Sequence, residues 1–131
     1  MNILADTQIV VWLLDVNSPL SKKHRDILSD ESNRVFISHI SLMELVIKKA
    51  IGKLPGFIPD IKEVAAIWLK NGYTILPLTE QHIFAYQSII FFEEHRDPFD
   101  RFIIAVAKEE KFMVMTVDKK FQLYTSLIEI I

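Results

Sequence analysis

Four short apolar runs, NILA (2–5), RVFIS (34–38), YTILPL (73–78) and FMVMT (112–116), are separated by stretches long enough to hold helices. No tight hairpin signal joins any two of these runs. Antiparallel strands can be linked by two residues, whereas parallel strands need a crossover of a dozen residues or more. The spacing therefore predicts an α/β domain of three layers, a largely parallel central sheet flanked by helices. A short fifth strand is expected at SLIEII (126–131). The length of 131 residues suits a single domain spanning 1–131.

The intervening segments read as helices. TQIVVWLLD (7–15) follows the first run, and Ser18-Pro19 has the residues of a cap and first position for a helix reaching about Ser29. SLMELVIKKAIG (41–52) is closed by Gly52, and Asp60 to Asn71 by Gly72. Thr79 caps a helix after the third run. Asp97-Pro98 opens another that runs to about Glu110.

Half of the residues are hydrophobic, high for a soluble domain. Ile61, Val64, Ala65, Trp68 and Leu69 make a core-facing stripe, broadened by Ile58, Ala66 and Ile67. Trp12, Phe57, Phe91 and Phe92, near loops or helix ends, add more apolar surface than a body of this size can hide. Such surplus predicts interaction surfaces. No apolar stretch reaches the roughly 18 residues of a membrane span, and the amino terminus lacks the pattern of a secretory signal. There is no cysteine, which fits a reducing compartment. A cytoplasmic protein without membrane contact is expected.

Acids stand where a parallel sheet places its ligands, beyond the carboxyl ends of the strands. Asp6 directly follows the first run, and Asp118 stands two residues after Thr116. Each alone is also an ordinary turn or cap residue. Glu44 completes a Ser41-x-x-Glu44 capping-box pattern, yet it lies one turn before Ile47 on a largely apolar helix. In HRDPFDRFIIAVAKEE (95–110), Asp100 aligns with Ile103, Ile104 and Ala107. A carboxylate aimed at an apolar interior is costly unless something positive meets it. Asp6, Glu44, Asp100 and Asp118, brought together, would repel one another and hold protons near neutrality. A hard divalent cation, Mg²⁺ or Mn²⁺, removes the conflict, because it takes oxygen ligands. A cation is thus the expected partner of Asp100.

Other chemistries lack their residues. There is no G-x-G-x-x-G, no G-x-x-x-x-G-K-[ST], no G-x-S-x-G and no thiol. The histidines at 24, 39, 82 and 95 have no zinc-site spacing and read as surface or structural. Fifteen Lys and Arg stand against 17 Asp and Glu, so the chain has no global basic character. With the four acids set aside, basic residues outnumber acidic ones, a mildly basic body around an acidic pit. Lys48 and Lys49 lie close to Glu44, and Lys119 and Lys120 follow Asp118, as candidates to contact a phosphate backbone.

LADT (4–7), ISHISLMELVIKKAIGKL (37–54), HRDPFDRFIIAVAKEE (95–110) and MTVDKKFQLY (115–124) resemble, in order and over nearly the whole chain, the blocks of the PIN-domain family. The resemblance is closer still to its VapC-type branch, the toxins of toxin–antitoxin pairs. Ala5 stands where a bulky aliphatic is usual, and Gln8 where His or Asn is common; neither touches the acids. The resemblance implies a Mg²⁺- or Mn²⁺-dependent ribonuclease, inhibited by a small cognate antitoxin and commonly a homodimer. It implies that Asp6, Asp100 and Asp118 hold the metal, with Glu44 ligating through water or orienting the attacking water. Thr7 and Thr116 would support the acids, Asp97 would orient Arg101 or cap its helix, and Arg101 would join the lysines on the RNA backbone. Two other readings keep the same residues: a catalytically silent PIN-like binding protein and a solitary PIN nuclease without an antitoxin. A phosphoryl-transfer receiver domain would need an acceptor Asp after its third strand, where YTILPLTE has none.

Overall fold

The computed structural model describes residues 1–54 and 59–131; Phe57 and Ile58 lie outside the described residues. The apolar runs form β1 (Asn2–Ala5), β2 (Arg34–Ser38), β3 (Thr74–Leu76) and β4 (Met113–Met115). All pairings are parallel, and the order is β3-β2-β1-β4. The helices are α1 (Thr7–Trp12), α2 (Lys22–Ser29), α3 (His39–Ala50), α4 (Ile61–Lys70), α5 (Glu80–Tyr86) and α6 (Pro98–Glu110), with a 3-10 segment at Lys119–Tyr124.

Alternation along the strands builds a core on each face, as a parallel sheet between helix layers requires. Leu4, Phe36 and Val114 pack with Ile103, Ile104, Phe121 and Tyr124. Ile3, Ala5, Val35, Ile37 and Met115 pack on the other side with Ile9, Val10, Leu45, Val64 and Trp68. Ile103 to Ala107 of α6 are fully buried, so only the ends of that helix meet solvent. Asp100 sits at its entrance. The expected stripe on α4 is narrower than its sequence suggests: Val64 and Trp68 are buried, but Leu69 is 57% exposed and Ile67 is also exposed.

Several boundaries differ from the sequence reading, each for a local reason. α1 ends at Trp12, three residues short of Asp15. Ser21, not Ser18, caps α2, accepting from the His24 N–H at 3.1 Å. Ser18-Pro19 lies in the preceding loop, where the Ser18 carbonyl takes the Arg25 guanidinium at 2.5 Å. α3 starts at His39 because Ser38, the last residue of β2, is already a cap, accepting from the Ile40 N–H at 3.0 Å. Ser41 and Glu44 therefore fall inside the helix and form no capping box. The expected fifth strand is reduced to a single parallel bridge between Ile130 and Val114. The segment still bonds along the outer edge of β4: the Val114 N–H donates to the Glu129 carbonyl at 2.8 Å, the Ile131 N–H to the Val114 carbonyl at 2.9 Å and the Thr116 N–H to the Ile131 carbonyl at 3.2 Å.

α6 ends on Lys111 in the left-handed region, with φ 59°. A side chain with a Cβ is disfavoured there by roughly 1 kcal/mol relative to glycine. Lys111→Gly is expected to stabilise the fold by about 0.5–1 kcal/mol, measured as a higher urea midpoint at unchanged slope. A lower midpoint would show that the lysine side chain contributes more than its backbone strain removes.

Candidate active site

Strand order reverses at β1: the chain moves outward through β2 and β3, then crosses back to β4 on the other side of β1. Crevices at such reversals, beyond the carboxyl ends, are where open α/β sheets bind ligands. Asp6 follows β1 and Thr116 follows β4, and the two meet across this crevice. Asp6 uses one oxygen to cap α1, accepting from the Ile9 N–H at 2.9 Å. Its other oxygen accepts from the Thr116 hydroxyl. The Thr116 oxygen in turn accepts the Asp118 N–H at 3.0 Å, and Asp118 caps the 3-10 segment through the Lys120 N–H at 2.9 Å.

The remaining acids arrive on helices. Glu44, buried on the second turn of α3, accepts from the Thr7 hydroxyl at 2.7 Å. Thr7 has one proton and gives it to the carboxylate, so the Ser41 hydroxyl, 3.0 Å away, donates to Thr7. The second Glu44 oxygen is ion-paired with Lys48 one turn on. Asp97 caps α6, accepting from the Phe99 and Asp100 N–H groups at 2.8 and 3.3 Å. That places Asp100 in the first turn, and a cleft of about 270 Å³ is lined by Asp6, Glu44, Asp100 and Asp118 together with Thr7, Lys48 and Asp97. All four expected acids share one cleft.

Burial pushes the Asp6 carboxyl up to about 6, against the hydrogen bonds from Thr116 and Ile9, and the charges of Asp100 and Asp118 add to the rise. Asp100 is also raised, chiefly by burial and then by Asp97 and Glu44, against the hydrogen bond from His95. Burial works against the charge of Lys48, yet Glu44, Asp97 and Asp100 outweigh it and hold its pKa above the ordinary lysine value. Lys48 is thus a resident cation of the cleft.

His95, which reads from the sequence as surface or structural, is not at the surface. It is buried, and its Nε2 lies 2.9 Å from Asp100 Oδ2 while its Nδ1 lies 2.8 Å from the Tyr124 hydroxyl. The polar group meeting Asp100 in this structure is therefore a histidine. The available signal was its place in the acid-bearing block, two residues before the Asp97 cap.

Arg101, expected from the sequence to meet the RNA backbone, points away from solvent. It is buried and donates to the Ile89 and Ile90 carbonyls at 3.1 and 2.9 Å and to the Tyr86 hydroxyl at 3.3 Å. It therefore braces the segment before α6 and is not placed to contact RNA. Asp97 acts as the cap of that helix; no ion pair joins it to Arg101 among the described residues. Lys119 and Lys120 are exposed beside Asp118, and Lys49 donates to the Pro59 carbonyl at 2.7 Å.

The donor set fits a hard divalent cation. It is rich in carboxylate oxygen, with Asp6, Glu44, Asp100 and Asp118 lining one cleft. The fold and cleft define an acid-cluster α/β domain, with its acidic cleft at the reversal of a parallel sheet. The chain belongs to the PIN domain family, which matches it over residues 3–126.

Its fold is similar to that of VapBC2 from Rickettsia felis bound to promoter DNA, with a TM-score of 0.65, 20% identity, and 98% and 97% of the two chains covered. It is similar to VapBC-1 from nontypeable Haemophilus influenzae, with a TM-score of 0.63, 19% identity and coverage of 100% and 97%. It also resembles Mycobacterium tuberculosis VapC20, described as a sarcin-ricin loop cleaving toxin, with a TM-score of 0.66, 17% identity and 97% of each chain covered. No curated protein matches the chain.

The Asp6 environment gives a signed pH prediction for the metal-free protein. The group titrates near 3.8 when unfolded and about 6 when folded, so between these values the folded state binds more protons. Stability then falls as pH rises, with the penalty complete above the folded value and on the order of 3 kcal/mol. Asp6→Asn, which keeps the cap, should raise the melting temperature in EDTA. The gain should grow from about pH 5 to pH 7. An equal gain at both values would show that Asp6 ionises freely.

Proposed function

We propose that this chain is a Mg²⁺- or Mn²⁺-dependent endoribonuclease and the VapC-type toxin of a toxin–antitoxin pair. The observation that carries the proposal is the convergence of four carboxylates, from four separate segments, on one cleft at the sheet's reversal. Asp6, Asp100 and Asp118 would hold the cation, with Glu44 completing the cluster through water or orienting the attacking water. Once bound, a divalent cation polarises the phosphoryl oxygens and lowers the pKa of a bound water. Thr116 and Thr7 keep Asp6 and Glu44 in place by hydrogen bonds. Lys119 and Lys120, exposed next to Asp118, would take the RNA backbone, with Lys48 and Lys49 on α3 beside it.

The solved VapBC complexes with this fold support a small antitoxin as partner. Val46, Ala50 and Ile61 line a groove between α3 and α4; Met43 and Ile47 are exposed on α3, and Ile51 is exposed just past its end. Because α3 also carries Glu44 and Lys48, a segment lying in this groove would be near the cleft. A separate apolar patch at Phe84, Ile90 and Phe91 would pair two copies of the chain. A cytoplasmic location belongs to the same proposal. No helix among the described residues is long and apolar enough to cross a membrane.

A second reading, a catalytically silent binding protein, is favoured by one observation: Asp6, Asp97 and Asp118 all serve as caps. Activity separates the two. RNA cleavage should require Mg²⁺ or Mn²⁺ and stop with EDTA. Asp100→Asn should lower it on the order of 100-fold or more, whereas Asp97→Asn should be mild, since asparagine caps nearly as well. Cleavage that persists in EDTA would sink the metal mechanism. Co-expression with a small neighbouring protein, followed by mass measurement, tests the partners; a monomer indifferent to that neighbour would favour a solitary nuclease.

A further inference from the structure

A chain of buried polar groups runs behind Asp100. Arg101 Nη1 is 3.5 Å from the Tyr124 hydroxyl, that hydroxyl is 2.8 Å from His95 Nδ1, and His95 Nε2 is 2.9 Å from Asp100 Oδ2. The chain starts and ends on neighbouring residues of α6, passing through the loop before it and the carboxyl-terminal 3-10 segment. Tyr124 is fully buried, His95 nearly so, and Arg101 is anchored by the Ile89 and Ile90 carbonyls.

Its ends give the chain a direction. A guanidinium only donates, and an ionised carboxylate only accepts. Tyr124 and His95, between them, can each do both. If Arg101 donates to the Tyr124 oxygen, the tyrosine proton must go to His95 Nδ1. The ring's own proton then sits on Nε2 and is donated to Asp100. The opposite tautomer would put two donors on the Tyr124 oxygen and leave the tyrosine proton without an acceptor among its described contacts. A buried hydroxyl proton left so is costly. Burial raises the Tyr124 pKa, which keeps that proton on the ring oxygen.

We propose that His95 and Tyr124 are positioning residues: the Tyr124 hydroxyl fixes the Nε2–H tautomer of His95, and His95 holds one oxygen of Asp100, leaving the other for the cation. The inference rests on Asp100 being a metal ligand, as proposed above. Outer partners that orient metal-binding groups typically contribute 10- to 100-fold in metal affinity. Hard cations of this kind prefer oxygen, which also favours His95 as a donor behind the carboxylate over His95 as a ligand.

Two measurements on the full chain test this. The nitrogen shifts of the His95 ring, recorded by NMR with and without Mg²⁺, should report an Nε2–H tautomer in both states. A ring protonated on Nδ1, or an Nε2 that binds the cation directly, would overturn the relay. Titration with Mn²⁺ alone, followed by calorimetry, should show affinity lowered about 10- to 100-fold in Tyr124→Phe and His95→Leu. His95→Gln should stay within a few-fold of the wild type, because the glutamine amide can occupy the position of Nε2–H. Amide spectra of each variant check that the fold is kept. If Tyr124→Phe binds Mn²⁺ as the wild type does, the relay does not position Asp100. A wild-type chain that binds no Mn²⁺ would overturn the metal reading itself, and the relay's role with it, a result distinct from selective loss in the variants.

Discussion

The Asp6 carboxylate, shared between the α1 amide and the Thr116 hydroxyl, joins the two strand ends that flank the crevice. Thr116 then receives the Asp118 amide, so one hydrogen-bonded series sets the position of two acids that are far apart in sequence. Both strands are short, and their parallel register brings Ala5 beside Met115, one residue before Asp6 and Thr116. A shift of that register by one residue would turn Leu4 and Val114 to the wrong layer. The apolar cores therefore hold the site in register, and the acid–hydroxyl contact closes its floor.

That arrangement explains which parts of the protein were legible in its residues. The strand-like runs alternate between two cores, and their spacing admits only crossover connections, so the parallel sheet could be read directly. The four acids could be read from position, because each stands just after a strand or near the start of a helix. The start of α3 was harder. Ser41 and Glu44 satisfy a capping pattern, but Ser38 at the end of β2 is a competent cap three residues earlier, and the helix starts there. His95 lies in a stretch without periodicity, where sequence carries no information about direction. Arg101 is adjacent to Asp100 and carries a charge, so solvent was the natural expectation. Carbonyl groups of a non-helical segment needed donors, and the buried guanidinium supplies them.

Capping and ligand binding are not competing roles for these acids. Asp6 and Asp118 each give one oxygen to a local amide, and Asp100 is in the first turn of α6. Helix amino termini carry partial positive charge, which favours carboxylates there. Glu44, one turn into α3, is compensated instead by Lys48. Each acid thus has a local counterweight, and the remaining cost appears as the raised pKa of Asp6 and Asp100. A divalent cation bound here, as proposed above, would compete with the protons that burial favours on Asp6 and Asp100 and with the Lys48 contact to Glu44. Caps, hydroxyls and one lysine thus hold the four acids in place, so the geometry of the cluster is set by the fold itself.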